Sequence, residues 1–210
     1  MPLDVERLVR LRPYLFHLTA AANISRIRRT RVMESAGRLL RAAGRADALR
    51  VRRSGSIVVR LDEDAVHIRD QAALQRGNMT LASEMTFEDF VERLNGYVFF
   101  WPGTAGGPNT WGMRHFERYR EQRPALLRAD TASLLRANPG VEPHCCRFNS
   151  GSPRWRRGMA SPRGAGTFVR ASDVEFPVSR IVEITFVEMV TLPSDVSVGI
   201  EPTGSWKALF

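Results

Sequence analysis

The 210-residue chain carries 31 lysine and arginine residues against 22 aspartate and glutamate residues, a formal net charge of +9. Because 43% of its residues are apolar, it can bury a core, which excludes a wholly disordered protein. No apolar run approaches the roughly 18 residues of a membrane span, and the charge favours an anionic partner: nucleic acid, a dinucleotide or an acidic membrane surface.

Strand and helix patterns alternate through the first third of the chain. The apolar run Tyr14–Thr19 predicts a short buried strand. Asn23 is a suitable N-cap for a helix from Ile24 to about Val32, and a second helix is predicted over Ser35–Ala43. Ser56–Leu61 predicts a further strand.

The middle of the chain begins with a helix at Thr86, where Asp89 three residues on gives a weaker form of the capping box. Tyr97–Trp101 is fully apolar and predicts a central strand. Glycine and proline predict a loop over Pro102–Pro108. The next helix carries an apolar stripe of Met113, Phe116 and Tyr119.

Strands dominate the carboxyl-terminal part. Ala125–Arg128 predicts a strand, and Asp130 caps a helix that ends at residues 138–140. His144–Phe148 predicts another strand, and Asn149–Arg170 a long polar loop. Two strands are predicted at the end, over Ser179–Glu188 and Asp195–Ile200. We therefore expect a single α+β domain over residues 1–210.

His17 and Thr19 share one face of the first strand, because side chains alternate across a strand. A histidine and a threonine two residues apart can hydrogen-bond the hydroxyls of a ribose. The alternative interpretation is a core histidine that bonds to the backbone, and the pattern leaves both open.

Two isolated charged residues are further candidates. Arg69, just past a strand and beside Asp70, is either a clamp for a phosphate or ribose or one half of a surface ion pair. Glu175 follows the long loop directly, so its carboxylate either faces whatever that loop binds or is an ordinary surface glutamate.

The long loop is basic and contains no acidic residue before Asp173. Arginines pair with phosphates, amides donate hydrogen bonds, and tryptophan stacks on bases. The candidate nucleic-acid contacts are Arg147, Asn149, Arg154, Trp155, Arg156, Arg157 and Arg163. A solvated flexible loop is the alternative.

Metal chemistry and secretion are both poorly supported. Cys145 and Cys146 are adjacent, which suits neither a zinc site with spaced ligands nor an unstrained disulfide. Charged residues interrupt the amino terminus where a signal peptide needs an apolar run: Asp4, Glu6, Arg7 and Arg10. We expect no metal and a reducing, cytoplasmic setting.

Four segments, in order, resemble the DarT-type ADP-ribosyltransferases that modify DNA bases. They are FHLTAAANI (Phe16–Ile24), the segment around Arg69, YVFFWPGTAGGP (Tyr97–Pro108) and VEFPVSRIVEITF (Val174–Phe186). The chain looks closer still to a family of bacterial proteins of uncharacterised function with the same outline. The Asn149–Arg154 stretch has no counterpart in the pattern.

The resemblance implies an ADP-ribosyltransferase-like fold of split mixed or antiparallel sheets with flanking helices. It implies that NAD is the substrate and that His17, Thr19, Asn23 and Tyr97 contact it. It implies that Glu175 and Arg69 are catalytic residues and that Arg69 also contacts NAD. Nucleic acid becomes the expected acceptor, and a toxin role, with an antitoxin or a reversing hydrolase as partner, follows by analogy only.

Other functions stay open at this level. The acceptor could be a protein, a small molecule or water, and the RNA 2′-phosphotransferases share the fold and use NAD to remove a phosphate. A non-enzymatic nucleic-acid-binding module would need only the basic surface and the aromatic residues.

Overall fold

The computed structural model describes residues 2–155 and 157–210. Its α-helices within those residues are α1 (Val5–Leu11), α2 (Ile24–Thr30), α3 (Ala36–Ala42), α4 (Phe87–Asn95), α5 (Thr110–Tyr119) and α6 (Thr131–Arg136). Its strands there are β1 (Tyr14–Thr19), β2 (Val32–Glu34), β3 (Ile57–Leu61), β4 (Asp64–Ile68), β5 (Met79–Leu81), β6 (Tyr97–Thr104), β7 (Gly107–Pro108), β8 (Ala125–Asp130), β9 (His144–Cys146), β10 (Ser161–Arg163), β11 (Val169–Arg170), β12 (Glu183–Val187), β13 (Met189–Thr191), β14 (Ser197–Gly199) and β15 (Lys207–Ala208). The predicted α+β class is confirmed.

The largest sheet has the strand order β11-β9-β12-β6-β1-β8-β14-β15, with β7 paired to β6. Neighbouring strands in it are antiparallel. Three two-stranded sheets flank it: β3 with β4 and β2 with β13 are antiparallel, whereas β5 with β10 is parallel.

The large sheet opens between β1 and β6. β1 pairs with β8 along its whole length, from Tyr14 to Thr19, but with β6 only from Tyr14 to Phe16. β6 stays paired with β12 from Phe100 back to Tyr97. The two halves of the sheet therefore part after Phe16, and this opening positions the site described below.

The two faces of the sheet beside the opening are covered differently. Val98 and Phe100 of β6 belong to the largest core, together with Ile184 and Phe186 of β12. That core also contains residues of three helices: Leu8 of α1, Ile27 of α2 and Leu134 of α6. On the opposite face, α4 packs against Tyr97 and Phe99 through its own apolar stripe, Phe90, Val91 and Leu94.

Local signals account for the elements that were predicted well. β1 has the predicted bounds, and α4 begins with the full capping box of Thr86 and Asp89. Ser35 caps α3 by accepting from the backbone N–H of Arg38. The helix predicted from Ile24 to about Val32 is α2, and it ends earlier, at Thr30. Arg31 takes a left-handed backbone with φ 56°, and Val32 starts β2.

The predicted loop over Pro102–Pro108 is wrong. β6 continues to Thr104, and the chain turns back so that β7 pairs with it. A Cβ on Gly103 would lie 2.2 Å from the carbonyl oxygen of Gly107, so only glycine fits this close hairpin. Glycine here marks a close approach of two strands rather than a loop.

The prediction of an unbroken loop over Asn149–Arg170 is also wrong. β10 lies within it and pairs with β5, and β11 pairs with β9. These pairings join segments far apart in sequence, which a local pattern does not reveal. Further along, a 3₁₀ turn occupies Val178–Arg180, so the predicted strand from Ser179 starts only at Glu183.

No helix within the described residues combines the length and the apolar character needed to cross a bilayer.

Candidate functional site

A cavity of about 540 Å³ lies where β1 and β6 part. Side chains from four separate parts of the fold reach it. They are His17 and Thr19 of β1, Arg69 just after β4, Tyr97 of β6 and Glu183 at the start of β12. The volume is within the range of about 300–1,000 Å³ that is usual for small-molecule sites.

His17 is held in one tautomer by the backbone. Its Nδ1 lies 2.7 Å from the carbonyl oxygen of Phe99, so Nδ1–H donates and Nε2 is left as an acceptor. Burial lowers the pKa of His17 to about 4, and the nearby positive charge of Arg69 acts in the same direction. His17 thus bonds to the backbone and also lines the cavity as a neutral imidazole.

Asn23 ties β4 to β1. Its amide donates to the Thr19 hydroxyl at 3.1 Å and to the carbonyl oxygen of His67 at 2.9 Å, and its Oδ1 accepts from the His67 N–H at 2.9 Å. The predicted side-chain cap on α2 is wrong, because the amide is engaged in these bonds instead. Since Arg69 follows β4, Asn23 helps to place that arginine at the cavity.

Arg69 presents a guanidinium that is short of partners. Its Nε and Nη1 are buried without a hydrogen bond to any described residue. The guanidinium lies over the ring of Tyr119, 4.2 Å from its centroid. Asp70, the predicted ion-pair alternative, accepts from the Tyr119 hydroxyl at 2.7 Å and from Ser56. Burial lowers the pKa of Arg69 from its ordinary value, but an arginine still stays charged near neutral pH.

Glu183 is the carboxylate that reaches the cavity. Glu183 is only 2% exposed, and its Oε2 accepts a hydrogen bond from the backbone N–H of Ser150 at 3.1 Å. Burial raises the pKa of Glu183 to about 7, against the opposing effects of Ser150 and the positive charge of Arg163. A carboxyl group that titrates near neutral pH inside a cavity is a candidate for catalysis.

Glu175, the predicted catalytic acid, lies elsewhere. It is exposed in an irregular segment between the 3₁₀ turns Ala171–Asp173 and Val178–Arg180, and it is not among the cavity-lining residues. The structure therefore does not bring Glu175 together with His17. Glu183 was missed, although an acidic residue between the apolar Val182 and Ile184 of a predicted strand is a signal that could have found it.

Arg163 is wrong as a predicted nucleic-acid contact, because it is 4% exposed and its donors are used inside the protein. It donates to the carbonyl oxygens of Asn149, at 3.0 Å, and Ser150, at 3.3 Å, and to Ser161 Oγ at 2.7 Å. These bonds hold residues 149–152, all of which line the cavity. Asn149 is thus a cavity residue.

The remaining predicted nucleic-acid contacts are exposed where they can be described. Arg147 lies with its guanidinium 5.3 Å from the ring centroid of Phe176. Arg156 lies outside the described residues. The others follow the cavity-lining Ser152 closely in sequence: Arg154, Trp155 and Arg157. Trp155 is 58% exposed, so its ring is accessible to a ligand.

An aromatic wall completes the cavity and was not predicted. The ring centroids of Trp101 and His115 lie 4.7 Å apart, and those of His115 and Tyr119 lie 4.9 Å apart. Burial and then the positive charge of Arg69 lower the pKa of His115 to about 3. Trp101 Nε1 is buried without a hydrogen-bond partner among the described residues. The wall is neutral at physiological pH.

In the part of the chain that the structure describes, no three His, Cys, Asp or Glu side chains are grouped as metal ligands would be. A model of a family of unknown function, DUF7002, matches residues 13–196. The chain belongs to this family. The matched DUF7002 region includes every cavity residue from His17 to Glu183. Neither a curated protein nor a solved structure matches the chain.

Proposed function

We propose that this DUF7002 protein is an NAD-dependent ADP-ribosyltransferase whose NAD site is the cavity between β1 and β6. One observation carries the proposal: a neutral imidazole, a guanidinium with two nitrogen atoms that bond to no described residue, and a buried carboxyl group reach the same cavity. The opening between β1 and β6 also agrees with the split sheet that the resemblance implies.

Each group has a distinct task in this reaction. The Nε2 of His17 accepts a hydrogen bond from a ribose hydroxyl, because its Nδ1–H already donates to the carbonyl oxygen of Phe99. Arg69 binds the pyrophosphate, since a guanidinium pairs well with phosphate oxygens. The aromatic wall of Trp101, His115 and Tyr119 gives the bound ligand a neutral boundary on one side.

Glu183 acts on the reacting carbon. When the bond between ribose C1′ and the nicotinamide nitrogen breaks, the electron pair leaves with nicotinamide, and positive charge develops on the sugar. The Glu183 carboxylate stabilises that charge, and it takes the proton that the acceptor loses on attack. The positive nicotinamide ring of bound NAD favours the ionised form of this carboxyl group.

The proposed acceptor is a nucleic-acid base. The support is the exposed, basic and aromatic segment just past the cavity-lining Ser152, with Arg154, Trp155 and Arg157. Arginine contacts phosphates without regard to sequence, and an exposed tryptophan stacks on a base. A nucleic-acid strand bound by this segment would contact residues that follow the cavity-lining Ser152 directly in sequence.

The test incubates the purified protein with NAD and with single-stranded DNA, RNA or protein, and follows nicotinamide release. We expect release with nucleic acid and loss of release in Glu183→Gln. A thermal shift should show that NAD binding by this variant is weakened but not lost, because the Arg69 and His17 contacts remain. Glu175→Gln is the matched control and should behave as wild type, because Glu175 is exposed. Intact NAD with every acceptor and no thermal shift would refute the proposal. Labelling of protein side chains alone would exclude the nucleic-acid acceptor.

A further inference from the structure

A second cavity of about 540 Å³, which we call the edge groove, lies at the β11 side of the large sheet. Its lining includes Arg93, Tyr97, His144, Phe168, Arg170 and Asp173. Among the described residues, Tyr97 alone lines both this groove and the cavity at Glu183. The edge groove is therefore a separate site.

The sheet itself brings the basic side chains of the edge groove together. Arg170 and His144 are register partners across β11 and β9, so their side chains are neighbours on one face. Arg93 comes from the last turn of α4, the helix that packs on the Tyr97 side of the sheet. Three elements thus contribute basic groups to one groove.

Arg93 and Arg170 form no ion pair with any described residue. The ion pairs found among the described residues involve other arginines, such as Arg26, which contacts both Glu34 and Asp64. Arg93 donates a long hydrogen bond, 3.5 Å, to the carbonyl oxygen of Ala165, and its guanidinium lies 5.9 Å from the ring centroid of Phe168. Asp173 is the one acidic residue in the described lining of the groove, and the Glu142 carboxylate lies near Arg170 and His144 just outside that lining.

Two buried nitrogen atoms of the groove residues also have no partner. Arg93 Nε and His144 Nδ1 are buried without a hydrogen bond to any described residue. Buried polar atoms of native proteins are normally bonded, so such atoms indicate a missing partner. Beside them, the rings of Tyr97 and Phe168 stack with centroids 4.4 Å apart and planes at 16°.

We propose that the edge groove binds a phosphate group, with Arg93 and Arg170 as its charged ligands and His144 as a further hydrogen-bonding group. Guanidinium groups suit phosphate because they present paired N–H donors to its oxygens. The phosphate could belong to a small phosphorylated molecule or to the backbone of a nucleic-acid strand. The site does not depend on NAD or on the proposed transferase activity.

The test measures binding of inorganic pyrophosphate by calorimetry and of a fluorescent single-stranded oligonucleotide by anisotropy, both without NAD. Arg93→Gln and Arg170→Gln should each weaken pyrophosphate binding about tenfold, as expected for loss of a charged hydrogen bond. Arg60→Gln is the control, because it removes the same charge from an exposed position on β3, outside the groove. Melting temperatures near that of wild type confirm that the variants fold.

The outcomes separate the two sources and the two cavities. Loss of pyrophosphate binding alone assigns the groove to small phosphorylated molecules, and parallel loss of oligonucleotide binding assigns it to a strand. Unchanged pyrophosphate binding in both groove variants would overturn the proposal. So would a loss confined to Arg69→Gln, which would place the only phosphate site in the proposed NAD cavity.

Discussion

Glu183→Gln tests, without any substrate, whether the buried carboxyl group of Glu183 has a raised pKa. The quantity measured is the free energy of unfolding. The amide oxygen of glutamine can still accept the Ser150 N–H bond, which is 3.1 Å long in the wild type. Burial raises the pKa of Glu183 from 4.5 to about 7. The difference between these values corresponds to about 3 kcal/mol of unfolding free energy.

The sign follows from the raised pKa in the folded chain. The protonated group contributes its full stability below pH 4.5, and this contribution is lost as the pH rises through about 7. Glutamine stays neutral throughout. We therefore expect the stability of Glu183→Gln relative to wild type to increase by about 2–3 kcal/mol between about pH 5 and about pH 8.5.

Urea unfolding of both proteins at the two pH values measures this change. Other titrating groups are common to both proteins and cancel in the comparison. Glu175→Gln is the control, because it makes the same substitution at an exposed position outside the cavity. If Glu183→Gln differs from wild type by the same amount at both pH values, the carboxyl group does not titrate near neutral pH and the reasoning fails.

Three further substitutions test the loop, the hairpin and a helix cap. Arg163→Gln removes a positive charge that lowers the pKa of Glu183. Turnover should therefore begin to rise at a higher pH in this variant than in wild type. Arg154→Gln, at an exposed position, should leave the pH–turnover profile in place. Gly103→Ala should lower the unfolding free energy by about 1–3 kcal/mol through a clash with the β7 backbone; Gly106→Ala, with its nearest contact at 3.6 Å, should change it little. Thr86→Ala should cost about 1 kcal/mol in chemical denaturation, because it removes the α4 cap.

The sequence predicted those parts of the fold that short-range chemistry decides. The alternation in Tyr14–Thr19, the capping box at Thr86 and the Asp130 cap each involve residues within a few positions of one another. The pairing of β10 with β5 could not be predicted in this way, because it depends on contacts between distant segments. For the same reason, the local composition of residues 149–170 predicts a loop although β10 lies within it.

The candidate site shows the same division between local and long-range information. The strand pattern left a ligand-binding and a core role open for His17, and the structure shows both a backbone bond and a place in the cavity lining. Arg163 looked like a surface cation in sequence, and only the fold shows that it bonds to the backbone beneath residues 149–152. Glu175 and Glu183 both lie in the segment of resemblance, and the strand that begins at Glu183 decides which one reaches the cavity.

Opposite charges share the cavity without pairing with each other. Arg69 lies over the Tyr119 ring, whereas Glu183 accepts from Ser150, so each is held by its own neighbours. A ligand with separated charges of both signs complements this arrangement. NAD has them, with an anionic pyrophosphate and a cationic nicotinamide ring.

A comparison of NAD with its reduced form isolates the carboxylate in this arrangement. The reduced ring is neutral, so it loses the attraction to ionised Glu183 while the pyrophosphate contacts stay the same. Wild-type protein above pH 7, where Glu183 is ionised, should bind NAD about tenfold more tightly than the reduced form by calorimetry. In Glu183→Gln the preference should disappear, because no charge remains to distinguish the rings. An equal preference in both proteins would mean that Glu183 does not face the nicotinamide, and its proposed catalytic role would be wrong.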